Sequence, residues 1–238
     1  MLRNFLLIIF IFLGVPAAIS AQSKLPAKLK FHSLKVEDGL PNNTVNAIVQ
    51  DSLGFIWIGT NDGLCRYDGN SFKYFRESPQ EDNSISNNFI QSLFLDARGN
   101  LWIMTDQGLN KYDPTFERFD TFTTDNGLRY NSVTKMTEGI YGTYYIGSYG
   151  GVLDVFNGQI FINNFSPDDD QPLASFLISD LELQDDHTLW VATWNSGISK
   201  INLDDDSIRN FGVGNTSVTP SGRVNDIYLD PSGFLWIA

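Results

Sequence analysis

The feature that most constrains this 238-residue chain is a phrase it writes five times. Trp57, Trp102, Tyr145, Trp190 and Trp236 follow one another at intervals of 45, 43, 45 and 46 residues. Six residues before each stand Asp51, Asp96, Gly139, Gln184 and Asp230, and twelve before stand Val45, Ile90, Val133, Ile178 and Val224. Six residues after, or seven in the fourth copy, stand Gly63, Gly108, Gly151 and Gly197. Four columns that keep step over this length describe equal structural units. A period of roughly 40–50 residues, rich in strand formers, is that of a β-propeller with one blade per repeat.

Each copy divides into four short strands. In the first, "VNAIVQ" (45–50), "FIWIGT" (55–60), "LCRYD" (64–68) and "SFKYFR" (71–76) are rich in Val, Ile, Phe, Tyr and Trp, as half-buried or buried strands are. We call them strands a to d. "DSLG", "NDG" and "GN" between them supply turn chemistry. Strand b is apolar at successive positions, as expected where blades pack face to face and bury both sides. The repeated aromatic is therefore assigned to packing between blades. The predicted fold class is all-β: a β-propeller of four-stranded antiparallel blades, with repeats at about 38–82, 83–126, 127–172 and 173–219 and a partial fifth at 220–238. "LKFHSLKVEDGL" (29–40) looks like the end of a repeat, which predicts a strand over 29–34 that completes a closing blade. Its partners are expected beyond residue 238, so the ring is read as open and the chain as truncated.

The ends and the charge narrow the setting. Arg3, the apolar run "FLLIIFIFLGVPAAI" and the small residues of "AISAQ" read as a signal peptide over 1–21, with the exported chain beginning near Gln22. No cysteine follows the apolar run, so a lipoprotein anchor is excluded. The net charge of −12 offers no basic stripe for phosphates and argues against a nucleic-acid partner. Cys65 is the one cysteine, so no internal disulfide forms, and it reads as a small strand residue.

The wording of the phrase resembles one family. Neither the WD40 pattern nor the longer kelch period fits. "VEDGLPNNTVNAIVQDSLGFIWIGTNDGLCRYDGNSFKYF" is similar to the two-component regulator propeller repeat, with its D-G-L, N-x-V, D-x-x-G-x-[LI]-W-[IV]-G-T, G-L and Y-D-G elements. The similarity is strong at 38–75 and 83–119 and fair at 174–211, where Thr188 stands in for the turn glycine. It is weaker at 127–165, where Tyr145 and Gly139 replace Trp and Asp. The resemblance implies the periplasmic sensor region of a hybrid two-component histidine kinase. It implies detection of a small molecule, often an oligosaccharide, and an extracytoplasmic location in an inner-membrane receptor. The partners it implies are the remaining blades and downstream signalling domains. A homodimer of the full-length protein stays open. The chain itself carries no kinase phosphoacceptor motif and no Gly-rich nucleotide loop.

Catalytic and metal chemistry find little support. His32 and His187 lie in different parts of the repeat without ligand spacing, and the acidic runs at 168–170 and 204–206 lack the alternating ligands and glycine of a calcium loop. No G-x-S-x-G elbow is present. No catalytic residue, cofactor or metal is expected. Topology says more. If strand a runs from top to bottom, the d–a and b–c loops share the top face. Asn43, Asn88 and Asn131 precede successive a strands, and their amides both donate and accept, which suits a hydroxyl-rich ligand. For each of them singly, a side-chain turn to the backbone is the simpler reading. Asn61, Asp106 and Arg223 share that face, and Tyr130, Tyr149 and Trp194 there suit stacking on a sugar ring. A ligand sensor is the expected function. A propeller lyase or hydrolase acting on polysaccharide, or a protein-interaction scaffold, are the alternatives.

Overall fold

The computed structural model describes residues 31–165, 173–212 and 222–238. Two compact units are distinguished, Met1–Ser33 and Leu34–Ala238. In the first, only residues 31–33 are described, and they carry no regular structure. The segment read as a signal peptide lies outside the described residues, and so does the acidic run at 168–170. The strand expected over 29–34 is not formed in its described part. Residues 31–34 have no ladder partner among the described residues, and an unpaired strand leaves its backbone groups to water.

The second unit is built of antiparallel sheets that follow the repeat. Sheet one holds β1 (Val45–Gln50), β2 (Ile56–Thr60), β3 (Gly63–Tyr67) and β4 (Phe72–Phe75) in that order. Sheet two holds β5 (Ile90–Leu95), β6 (Leu101–Thr105), β7 (Gly108–Asp113) and β8 (Arg118–Phe122). Sheet three holds β9 (Val133–Glu138), β10 (Tyr144–Ser148), β11 (Leu153–Phe156) and β12 (Phe161–Phe165). Sheet four holds β13 (Ile178–Asp185), β14 (Thr188–Thr193), β15 (Gly197–Asn202) and β16 (Ile208–Phe211). The fifth is the pair β17 (Ile227–Leu229) and β18 (Leu235–Ile237). The first strands β1, β5, β9, β13 and β17 neighbour one another in chain order. The fold is all-β, and the described helical segments are three-residue 3-10 turns. Among the described residues no helix is long and apolar enough to cross a membrane.

The cores lie between sheets. Trp57, 1% exposed, meets Tyr112 of the second sheet edge-on with ring centroids 4.8 Å apart. Trp102, 2% exposed, meets Tyr144 of the third at 5.2 Å. Tyr145 packs with Leu181, Leu189 and Val191 of the fourth sheet, and Trp190 with Ile227, Leu235 and Ile237 of the fifth. Such aromatic pairs contribute about 0.5–1.5 kcal/mol beyond their area burial. Trp236 is 62% exposed. Cys65 is buried on the sheet-one face with Leu40 and Ile58, and burial pushes its thiol up to about 12.

The column six residues upstream explains itself through the indole. The Nε1 of Trp57 donates to Asp51 at 2.8 Å, of Trp102 to Asp96 at 3.0 Å, of Trp190 to Gln184 at 2.9 Å and of Trp236 to Asp230 at 2.8 Å. In the three acids the other oxygen accepts backbone N–H groups of the a–b turn, for example Leu53 and Phe55 on Asp51. One carboxylate thus fixes both the turn and the aromatic. In sheet three the ring has no indole N–H, and a Cβ at Gly139 would come within 2.8 Å of Tyr145. The two departures from the pattern belong together. The glycine column has a different cause. Gly108 and Gly197 have φ of +140° and +89°, and a Cβ would lie 2.7 and 2.2 Å from the carbonyl oxygens of Phe122 and Phe211 on strand d.

Candidate functional site: a cavity on the face of the d–a and b–c loops

Each a strand breaks register at the same place. Ladder pairing passes from Val45 to Ala47, from Ile90 to Ser92, from Val133 to Lys135 and from Ile178 to Asp180. The residues left out are Asn46, Gln91, Thr134 and Ser179. A bulge of this kind turns a side chain out of the alternating pattern of the strand. Thr134 Oγ1 donates within its own sheet, to the Gly147 carbonyl at 3.1 Å, and the other three side chains tie blades together. Asn46 Nδ2 donates to the Ile90 carbonyl at 2.8 Å, and Ser179 Oγ donates to the Val224 carbonyl at 2.7 Å. Gln91 Nε2 donates to Ser132 Oγ at 3.1 Å.

Above these bulges lies a cavity of about 1240 Å³. Its wall draws on the a strands (Asn46, Gln91), the d–a segments (Phe89, Arg129, Tyr130, Asn131, Ser132) and the b–c turns (Asp106, Tyr149, Trp194). A smaller space of about 260 Å³ shares Gln91, Tyr149 and Trp194 and adds Thr134, Lys135, Ser179 and Asn225. Tyr149 and Trp194 keep 43% and 38% of their surface exposed, so aromatic faces are presented to solvent.

The polar groups of the wall are organised. Asp106 Oδ1 accepts from Gln91 Nε2 at 2.6 Å and from Ser132 Oγ at 2.8 Å, which joins sheets two and three. Lys135 Nζ lies 3.3 Å from Asp180 Oδ1, whose Oδ2 accepts the Ile227 N–H at 2.9 Å. Burial, and then a hydrogen bond with Asp226, push Asp180 above the usual carboxylate range, against the pull of Lys135. The Arg223 guanidinium stacks 4.4 Å from the Trp194 ring centroid and its Nε donates to Asn225 Oδ1 at 3.2 Å. A cation over an indole face stiffens the ring's position.

Of the residues singled out by sequence, Asp106, Tyr130, Asn131, Tyr149 and Trp194 line the large cavity. Asn43, Asn61, Asn88 and Arg223 lie outside its lining, although Asn61 accepts from the lining Asn46 at 2.8 Å. The asparagine column has a shared structural task. Asn43, Asn88 and Asn131 accept the backbone N–H of Val36, Glu77 and Thr124 at 3.0, 2.9 and 2.7 Å, pinning each d–a loop. Gln91, Phe89, Arg129 and Ser132 were not anticipated. A signal for the first of them was present: eleven residues before the ruler every copy carries an amide or hydroxyl, Asn46, Gln91, Thr134, Ser179 and Asn225. His187 pairs with Asp204 through Nδ1 at 2.8 Å, and among the described residues no cluster of three metal donors exists.

The model of the two component regulator propeller matches residues 39–62 and 84–107, the windows that carry the first two a–b turns. Histidine kinase P4 of Formosa agariphila is 38% identical over 80 residues, 34% of this chain and 6% of that protein. The extracellular domain assigned to the hybrid two component system BT3049 of B. thetaiotaomicron superposes with a TM-score of 0.76 at 27% identity, over 87% of this chain and 29% of that one. A second extracellular domain from B. thetaiotaomicron, assigned to the hybrid two component system BT4673, gives 0.70 at 22% identity over 82% and 28% and bears on the fold alone. The chain therefore spans less than a third of each of these two solved domains. The chain thus carries two component regulator propeller repeats over its first two a–b turns, and its fold is similar to that of the extracellular domain of a hybrid two component system.

Proposed function

We propose that the chain is part of the extracytoplasmic, ligand-sensing propeller of a hybrid two component receptor, and that its large cavity takes a hydroxyl-rich small molecule, an oligosaccharide first of all. The single observation that carries this reading is the pairing of Tyr149 and Trp194 faces with a wall of amides and hydroxyls. The C–H face of a sugar ring packs on an aromatic surface, while its hydroxyls need groups that both donate and accept. Gln91, Asn131 and Ser132 are such groups. The cavity volume of about 1240 Å³ exceeds the roughly 300–1,000 Å³ usual for small-ligand pockets, which favours an oligomer over a single sugar. On this reading the chain binds and does not convert its ligand, and signal output belongs to other domains of the receptor.

The test is calorimetric titration of the purified chain with a panel of neutral and acidic oligosaccharides, repeated with Trp194→Ala. We expect a panel member to bind, and the variant to bind it at least about tenfold more weakly, the loss of roughly 1.4 kcal/mol. Wild-type binding that Trp194→Ala and Tyr149→Ala both leave unchanged would place the ligand elsewhere. Turnover of a panel member would replace the sensor by an enzyme.

A further inference from the structure

One position on strand c is buried in every complete blade: Cys65, Asn110, Asp154 and Ser199. In three blades its side chain performs the same task. Asn110 Oδ1 accepts the Ser86 N–H at 3.0 Å, Asp154 Oδ2 accepts the Arg129 N–H at 3.2 Å, and Ser199 Oγ accepts the Ala174 N–H at 3.2 Å. Each bond fastens a d–a segment onto its own blade. In sheets two and four the fastener is a neutral amide or hydroxyl. In sheet three it is a carboxylic acid, 1% exposed, and the segment it fastens supplies Arg129, Tyr130, Asn131 and Ser132 to the wall of the large cavity.

We infer that Asp154 is a positioning residue for the cavity, holding residues 129–132 in place through the Arg129 N–H with a grip that depends on whether its buried carboxyl carries a proton. The inference rests on reading the cavity as the ligand site.

The physical case has three parts. An ionised oxygen accepts an N–H bond roughly twice as strongly as a neutral one. The positive charge of Arg129 favours the ionised form of Asp154. Its register neighbour on β10, Ile146, carries no charge. Opposing both, burial pushes the Asp154 carboxyl up to about 6. The site is thus ionised and gripping at neutral pH, and loses both the charge-assisted bond and the attraction to Arg129 as the surroundings acidify. Asn110 shows that a neutral group at this position still fastens its segment: its amide adds bonds to Ser86 Oγ at 2.8 Å and from Thr121 Oγ1 at 3.0 Å. An acid that shuttles between two strengths makes a fastener whose hold on the cavity wall follows pH.

The test reads the Arg129 amide directly and needs no ligand. Amide proton shifts are followed by ¹⁵N NMR on the whole chain from pH 7.5 to 5.0. In the wild type we expect the Arg129 amide proton to move upfield across that range, as its bond passes from an ionised to a neutral oxygen, while Ser86 N–H, held by Asn110, stays constant. Asp154→Asn should make Arg129 as indifferent to pH as Ser86. Asp154→Ser, which copies sheet four, should do the same and guards against an ill-folded amide variant. A wild-type Arg129 amide proton with an unchanged shift, or an unchanged pH slope in both variants, overturns the inference. An Asp154 carboxyl carbon that titrates in the ordinary carboxylate range overturns it too. A cavity that binds none of the oligosaccharides would sink the ligand reading through the calorimetry alone, with the amide result standing apart from it.

Discussion

The two ends of the blades obey different rules. At the a–b end the same construction recurs: an acid six residues before the aromatic fixes the turn with one oxygen and the indole with the other, in Asp51, Asp96 and Asp230 alike. At the opposite end the loop asparagines and the strand-a bulges recur, but each b–c turn presents a different side chain. Asp106 is tied to Gln91 and Ser132, Tyr149 follows a serine turn, and Trp194 lies under Arg223. Repetition marks residues that each blade needs in order to pack against the next. Departure marks residues freed from that duty. Asp106, Tyr149 and Trp194, all such departures, line the large cavity.

The largest effect that separates the ends is expected at Trp102. Its ring fills the space between sheets two and three against Tyr144, Phe122 and Phe156. Trp102→Ala should cost about 3–5 kcal/mol, the range for removing a buried aromatic. Urea unfolding measures it. Trp194→Ala, with a partly exposed ring on the cavity face, should stay within about 1 kcal/mol of the wild type. Equal losses in the two variants would erase the distinction between framework and cavity aromatics.

The same distinction decides what could be read in advance. Strand β1 spans the residues assigned to strand a, and β2 to β4 begin and end within a residue of their expected limits, because β-formers and turn residues are local information. Asp106, Tyr149 and Trp194 reach one cavity because blade topology puts b–c turns at one end. The bulge column was visible as polar residues inside apolar strands. Its meaning needs the register of strand a against strand b, which no single strand contains. Asp154 was hidden for a related reason. An acid in a run such as "VLDVF" looks like a solvent-facing alternate, and only the packed blade shows that the site is dry.

Asp96 and Asp154 carry this contrast into acid–base behaviour, with opposite signs. At Asp96, burial would raise the pKa, yet bonds from Trp102, Asn100 and Tyr144 outweigh it and hold the carboxyl below its usual range. A lowered folded value stabilises the fold above the unfolded pKa, and the contribution is lost as pH falls through the folded one. Asp96→Ala should therefore cost about 2–3 kcal/mol at pH 7, leaving the Trp102 and Tyr144 donors unpaired, and less near pH 2. At Asp154 the folded value, about 6, lies above the ordinary aspartate value of 3.8. Its ionised form burdens the fold: the cost is absent below pH 3.8, grows toward pH 6 and is full above it. Asp154→Asn should accordingly gain about 1–3 kcal/mol at pH 7.5 and nothing near pH 3.5. Thermal melts across that range check both signs. A gain at Asp154→Asn that persists at pH 3.5 would show that ionisation is not its source.

The smallest effect comes from sheet three, which lacks the clasp although its turn keeps the framework's backbone. Gly139 N–H donates to the Thr143 carbonyl at 2.7 Å, as Asp96 N–H donates to Asn100 at 3.0 Å. Gly139 itself has φ −95° and ψ −164°, a conformation open to any residue. What bars an acid there is the tyrosine ring, 2.8 Å from where a Cβ would stand. Gly139→Asp alone should destabilise by about 1–3 kcal/mol through overpacking. Tyr145→Trp alone places an indole N–H beside a glycine with no acceptor and should cost about 1–2 kcal/mol. Together they rebuild the pair that Asp51 and Trp57 form at 2.8 Å. The double variant should be more stable than the sum of the singles by about 1 kcal/mol, measured as the coupling term of a double-mutant cycle in urea. A coupling of zero would mean that acid and indole recur side by side for separate reasons, and that the clasp is not the unit the repeat preserves.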